Sequence, residues 1–545
     1  MIKKTIVLLF ALIVFVAGLS AKPARRDAIT LEQPDGAQLT AYLHGDAFFH
    51  YYTDTEGNML QLTADGYYRP TEMPSEEELL TMRMNNPRYI ARQHMAGGEL
   101  NLAPRGLIIL VSFSDLAFKT SVAEMDSMIN GLDYTRSYAT KPQTGLFTTI
   151  TSSGSARKYF RDNSFGQYNP VFDVVGPVTL SKGYAYYGSN DWRGNDQHVN
   201  EMIKEACQLV NSQVDFTRYD NDNDGKVDFV YVIYAGYSES DGAGDDYIWP
   251  HNYNLSYTGT NCVVDGKKVD NYACSNEIDS NSGKHDGIGT FCHEFSHVLG
   301  LPDLYATTDN ATHKTLGMWD ILDYGPYNND GNTPPCYSAY ERFYMGWLTP
   351  VVLNSACDVI LPALADANCA VLLSSTGTHN MVGTNPNPST FYLLENRQNT
   401  GWDAYLPGHG LLVTKISYSS YKWQSNAVNN TKTAMGVDIV EADGNAPSYN
   451  ARNRSNGYFG KAGDAYPEGA TSFTSLSAYK VTNISEENDT IYFQVNGGGK
   501  SILVLDVEAT ELPGTHSGRK YLRNGMILIE HNGTYYDLSG RKYDL

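Results

Sequence analysis

The chain has 545 residues, with 40 Lys and Arg against 61 Asp and Glu, a formal net charge of −21. At about 150 residues per domain that length implies roughly three to four folded units, and a 41% hydrophobic share beside 19% charged residues supplies cores and argues against wholesale disorder. The acidic balance disfavours nucleic acid and anionic lipid as partners, and suits a soluble protein able to bind calcium.

The chain begins MIKK, followed by the apolar run TIVLLFALIVFVAG and the small residues Gly18, Ser20 and Ala21. That order predicts a secretory signal peptide over 1–21, the apolar run being shorter than the roughly 20 residues that span hydrocarbon. No later segment is apolar enough to cross, so the mature chain is expected to be secreted, extracellular or cell-surface, without a transmembrane segment. The seven cysteines are odd in number and lack CxxC spacing; bridges Cys262–Cys274 or Cys357–Cys369 and buried free thiols are equally compatible with the sequence.

From residue 22 to 104, alternating stretches such as AQLTAYLHGDAFFHYYTD and MLQLTADGYYRP, separated by the turn TEGN, predict β-hairpins. A charged helix-like stretch at 75–95 then leads to AGGELNLAPRG, which reads as an exposed linker and a processing site. This segment is expected to be a propeptide. It contains no Cys, so inhibition must come from another ligand or from occlusion of a cleft.

Over 105–350, the buried-strand runs RGLIILVSFSD and FVYVIYAGY alternate with the helical spacing of NEMIKEACQLVNSQ, predicting an α/β (α+β) unit. Over 351–498 helix signals thin out, and TFYLLENRQ, HGLLVTKISY and TIYFQVNG predict a β-rich accessory domain. GGGK at 497–500 reads as a hinge before a C-terminal β tail, 499–545, a candidate sorting segment. The expected fold class is therefore multidomain: a zincin-like α/β catalytic domain carrying an HExxH helix, flanked by a β-rich propeptide, a β-sandwich-like domain and a small β tail.

Chemistry concentrates in HEFSHVLGLPD, residues 293–303. If GTFCHEFSHVLG is helical, His293 and His297 lie one turn apart on one face and can bind one Zn2+, with Glu294 beside them as general base for a metal-activated water. Gly300 and Pro302 stop the helix. A third ligand is required, and two candidates stand in the sequence. Asp303 follows the glycine turn, while Glu341 lies in PPCYSAYERFYMGWL, a second predicted helix. A longer side chain from a packed helix favours Glu341, with Asp303 the alternative.

These motifs, with LGMWDILDYG, TPPCYSAYERFYMGWL and FYLLENRQNTGWDAYLPGHGLLV in the same order, resemble the immune inhibitor A family of secreted bacterial metallopeptidases. The resemblance implies a zinc endopeptidase made as a zymogen, with His293 and His297 as ligands, Glu294 as base and Glu341 completing the site. Two departures stand out: Leu322 occupies the position where Met is common in the family, and Thr414 and Lys415 stand where His is common.

A second motif, YDNDNDGKVDF, sets Asp220, Asp222, Asp224 and Asp228 around Gly225, with Lys226 offering a backbone carbonyl. Alternate carboxylates with Gly at the sixth place predict a structural Ca2+ site, although the twelfth place is Tyr231 in place of Glu. Tyr305, Tyr324 and Tyr327 are candidate donors to a tetrahedral oxyanion, and His251 a candidate cleft residue. The resulting expectation is a secreted zinc endopeptidase hydrolysing peptide bonds in proteins, its own propeptide the inhibitor. The rival readings are a surface adhesion or binding protein with a relic zinc site, and a zinc hydrolase acting on non-peptide substrates. Glu294, present with both histidines, separates the enzyme from the relic.

Overall fold

The computed structural model describes residues 20–74, 78, 102–140, 148–191, 194–308, 311–450 and 455–504, with backbone segments between 519 and 543. The expected leader up to residue 19, the helix-like stretch at 75–95 and the start of the linker at 96–101 fall outside the described residues, apart from Glu78. Among the described residues no helix is long and apolar enough to cross a membrane.

The unit that carries HExxH is organised by a six-stranded sheet built from β1 (Ser20–Ala21), β2 (Arg105–Ser112), β3 (Val171–Thr179), β4 (Val230–Tyr234), β5 (His251–Asn254) and β6 (Asn271–Asn276), in the order β1-β5-β6-β4-β2-β3. β3, β2, β4 and β6 run parallel to one another, whereas β5 is antiparallel to β6 and β1 antiparallel to β5. The unbroken apolar runs of β2 and β4 are what two-sided burial demands: Leu107–Val111 and Val230–Tyr234 are almost wholly buried. One face packs on the helix Val199–Val210 through Met202, Ile203 and Ala206. On the other lies α1 (Gly289–Val298), whose Phe291 meets Tyr231 at 4.4 Å between ring centroids and whose Phe295 meets Phe229 and Phe160 at 5.0 Å each.

One boundary differs from the sequence expectation at its first edge. Ser20 and Ala21, assigned to the leader, form β1 and pair with Asn252 and His251. The hairpins of the next segment are present as an antiparallel sheet of five strands, Ala28–Glu32 to Tyr68–Thr71. Leu43 and Tyr52 of that sheet, with Phe48 in the turn between their strands, share a core with Leu107, Ile109 and Val232.

Beyond residue 350, a five-stranded sheet (Val351–Val352, Val371–Leu373, Thr390–Arg397, Gly410–Ser417, Val437–Ile439) and a four-stranded sheet enclose one apolar core, with Val371, Leu394, Val359 and Phe493 among its members. The four-stranded sheet includes Lys500–Leu503, paired in parallel with Cys357–Leu361. The accessory region therefore runs past the GGGK turn, and the hinge expected there is an internal turn of this sheet. A separate four-stranded antiparallel meander closes the chain between 519 and 543. The 351–498 region is not independent of the HExxH unit either: Trp402, Trp423 and Val437 belong to the same core as Phe295, Leu299 and Trp319. All seven cysteines are buried and unbridged. Cys262 interacts with Cys207.

Candidate metal centre

α1 places its chemistry by periodicity. His293 and His297 share one face, their ring centroids 4.6 Å apart and their planes at 90°. Gly300 leaves the helix at φ +98°, a left-handed conformation that favours glycine. Its N–H and that of Leu301 cap the carbonyls of His297 and Ser296 at 2.9 and 3.1 Å. The turn returns the chain so that Asp303 Oδ1 lies 3.2 Å from His297 Nε2 and 3.4 Å from His293 Nε2.

Backbone carbonyls set the tautomers of both rings. His293 Nδ1 lies 2.7 Å from the Ile321 carbonyl oxygen and His297 Nδ1 2.8 Å from that of Leu301. A carbonyl only accepts, so each Nδ1 donates and each Nε2 keeps a lone pair. The two Nε2 atoms are 3.0 Å apart. Two imidazole lone pairs and a carboxylate oxygen, all ligand atoms within 4.8 Å of one another and wholly or almost wholly buried, repel unless a cation sits among them. The donor set therefore fits a divalent metal with nitrogen and oxygen ligands.

Glu341 is not in this group. It sits in α2 (Ala339–Tyr344), where its Oε2 accepts from the Ser338 N–H at 2.6 Å and the Ser338 hydroxyl at 2.9 Å, a capping box at the helix N-terminus. Burial and the neighbouring Asp320 raise its pKa well above the ordinary glutamate value. The preference for Glu341 as third ligand is thus reversed: the glycine turn brings the short side chain of Asp303 to the histidines, and the longer one is used to start a helix.

Glu294 is fully buried. Its Oε1 accepts the backbone N–H of Lys22 at 2.8 Å, while its Oε2 has no partner among the described residues. Burial, with the nearby charges of Asp303 and Asp46, drives its pKa well above the usual glutamate value. The peptide around Lys22 is held along its length. The Tyr305 hydroxyl donates to the Ala21 carbonyl at 2.6 Å, the Trp249 indole to the Lys22 carbonyl at 2.8 Å, and the Tyr327 hydroxyl to the Pro23 carbonyl at 2.6 Å. Tyr305 and Tyr327 thus face the centre, while Tyr324 meets Phe459 edge to face and His251 is buried against Trp249 O and Tyr272.

Sequence reasoning missed Asn426. From the β-rich region 123 residues away, its Oδ1 accepts the Asp303 N–H at 2.7 Å and its Nδ2 donates to Asp303 Oδ2 at 2.5 Å. This two-point clamp leaves Oδ1 of Asp303 aimed at the imidazoles. Asn426 carries no local motif, so only the fold reveals it.

In the acidic loop, Asp220, Asp222 and Asp224 bring carboxylate oxygens within 4.8 Å of one another. Gly225 adopts φ +92° and donates its N–H to Asp220 Oδ2 at 3.1 Å. One expected contributor lies elsewhere: Asp228 accepts from the Asn221 N–H at 3.0 Å. Lys226 belongs to a two-residue strand, its N–H and ammonium both held by Asp224.

Residues 101–347 match the family described as immune inhibitor A peptidase M6, catalytic domain. The pre-pro-metalloprotease PrtV of Vibrio cholerae serotype O1 (strain M66-2) is 28% identical over 217 residues, 35% of this chain and 23% of that protein. Immune inhibitor A of Bacillus thuringiensis subsp. alesti is 24% identical over 291 residues, 47% of this chain and 41% of that protein. The chain therefore spans less than half the length of either relative. The segment bearing HExxH thus resembles a metallopeptidase catalytic domain, and the match to the immune inhibitor A family extends over 101–347.

Proposed function

We propose that the protein is a secreted zinc endopeptidase made as a zymogen, with His293, His297 and Asp303 as zinc ligands and Glu294 as general base. The observation that carries the metal centre is the convergence of two Nε2 lone pairs and one carboxylate oxygen beside a buried glutamate. Zinc bound there supplies Lewis acidity that makes water a nucleophile near neutral pH. Glu294, buried and raised in pKa, is suited to take a proton from the attacking water and return it to the departing amine. Tyr305 is placed to donate to the carbonyl oxygen as negative charge develops on it.

The inhibitor in this reading is the N-terminal segment itself. Lys22 covers Glu294, β1 occupies the edge of the catalytic sheet, and the five-stranded sheet behind it is cored against the same domain. Steric occlusion thus replaces the thiolate that the segment lacks. The name of the Vibrio relative, a pre-pro-metalloprotease, agrees with such a precursor. The Asp220–Asp222–Asp224 cluster is proposed to hold a structural Ca2+.

The test is digestion of an unfolded protein by zinc-loaded chain cleaved between residues 96 and 104, beside uncleaved chain and the cleaved Glu294→Ala variant. Rapid cleavage by the first alone is the expected result. Equal activity of cleaved and uncleaved chain removes the zymogen, and absence of cleavage from all three despite bound zinc removes the peptidase.

A further inference from the structure

The segment in the cleft lies as a substrate would, and its side chains describe what the cleft accepts. The carboxylate that returns a proton to the leaving amine must reach the nitrogen of the bond being cut, and the backbone nitrogen in contact with Glu294 is that of Lys22. The carbonyl receiving the Tyr305 hydroxyl belongs to Ala21. Ala21–Lys22 thus marks the position of the scissile bond, and β1 continues the residues before it antiparallel along β5.

From this frame, resting on the peptidase reading above, we infer that the enzyme cuts on the amino side of lysine, with Asp241, Asp286, Thr290 and Tyr327 forming the pocket for the residue just after the cut. Lys22 Nζ lies 3.2 Å from Asp241 Oδ1 and 3.0 Å from Thr290 Oγ1, and 4.6 Å from the centroid of the Tyr327 ring. Thr290 sits on α1, one turn before Glu294, and donates its hydroxyl to Asp286 Oδ2 at 2.9 Å. Lys22 and Asp241 are both almost wholly buried, and Asp286 is barely exposed.

Charge makes this pocket selective. Two buried carboxylates close to one another oppose each other's ionisation, and burial with the nearby charge of Asp241 pushes Asp286 up to about 7 even with the Lys22 ammonium present to lower it. Once the segment leaves, a neutral side chain there leaves both acids uncompensated, whereas an ammonium restores the pair. The ring face of Tyr327 adds attraction for a cation. Further along, Arg25 bridges Asp279 and Asp330 at 2.8 Å each, so the acidic lining extends in the direction of the residues after the cut.

The reaction on a substrate balances simply. Water oxygen bonds to the carbonyl carbon preceding lysine, the C–N bond breaks, and Glu294 passes the proton to the lysine nitrogen. The products are a new carboxylate and a chain beginning with lysine. Cut at Ala21–Lys22, this chain would keep its product in place, because the sheet that follows anchors residues 22 onward.

The test is to activate the full chain by cleavage between 96 and 104, digest an unfolded protein, and read the new N-termini by mass spectrometry. The expected result is enrichment of Lys, roughly tenfold or more over its share of the substrate, and a lower ratio of Lys to other new N-termini in Asp241→Asn. As a readout without turnover, the peptide SAKPARRD should bind the zinc-loaded, activated Glu294→Ala protein at least about tenfold more tightly than its norleucine counterpart at the Lys position. Cleavage without Lys enrichment, or equal binding of the two peptides, overturns the pocket and leaves the peptidase standing. No cleavage of any bond by the parent overturns the peptidase reading and the pocket with it.

Discussion

The two acidic clusters of this chain are built in opposite ways. Around His293, His297 and Asp303 every ligand is buried and held from behind, by Ile321 O, by Leu301 O and by the Asn426 clamp. Around Asp220, Asp222 and Asp224 only Asp220 is buried, and the loop holds itself through its own N–H groups and the ammonium groups of Lys226 and Lys267. A preorganised set of lone pairs in a dry site gains much from a metal and tolerates little displacement. An exposed loop already compensated by cations gains less. The first arrangement suits chemistry, the second stability.

The comparison breaks most sharply at Glu294. Glu294→Ala is expected to retain zinc, measured by metal analysis, and to lose about 10²- to 10⁴-fold in kcat. If activity survives, the buried glutamate is not the base. Next come the two candidate third ligands: Asp303→Ala should purify with little zinc, whereas Glu341→Gln should load fully. The reverse pattern would restore Glu341 and require α2 to sit differently.

Asn426→Ala sharpens the contrast between held and unheld ligands. Removal of its clamp on Asp303 should weaken zinc binding about 10- to 100-fold in a chelator competition. An unchanged affinity would mean that the glycine turn alone positions Asp303. The smallest effect is reserved for the exposed loop. Calcium chelation should lower Tm by about 5 °C without changing zinc content, and Asp222→Ala should abolish that difference. A Tm indifferent to chelation would reduce the cluster to a solvated turn.

Much of the metal centre was legible because HExxH places its groups within one helix, and Gly300 announces the turn after it. Choosing between Asp303 and Glu341 was a different problem, since it depends on where the chain goes after that turn. Side-chain length does not decide there, because Ser338 offers Glu341 a capping role three residues away. Asn426 and Lys22 were illegible for a simpler reason: their partners lie 123 and 272 residues off, and neither residue type is scarce enough to stand out. Hairpins, the parallel β2 and β4 and α1 all followed from periodicity. The domain edges did not. A short strand such as Ser20–Ala21 or Lys500–Leu503 is defined by the neighbour it pairs with, and a leader's small residues or a glycine-rich turn say nothing of that neighbour.

The two-residue pairing of β1 with β5 also sorts proteins by shape. Whatever takes the place of β1 must offer a bare, stretched backbone whose N–H and C=O groups are free to pair with the edge. A helix spends those groups internally, and a strand inside another sheet has already spent them on its neighbours. On the proposed cleavage before lysine, attack would be confined to loops, termini and regions that open for an instant, and the vulnerability of a lysine would follow the free energy of exposing the chain around it. Two proteins of identical lysine content would then be consumed at rates set by their own local stability.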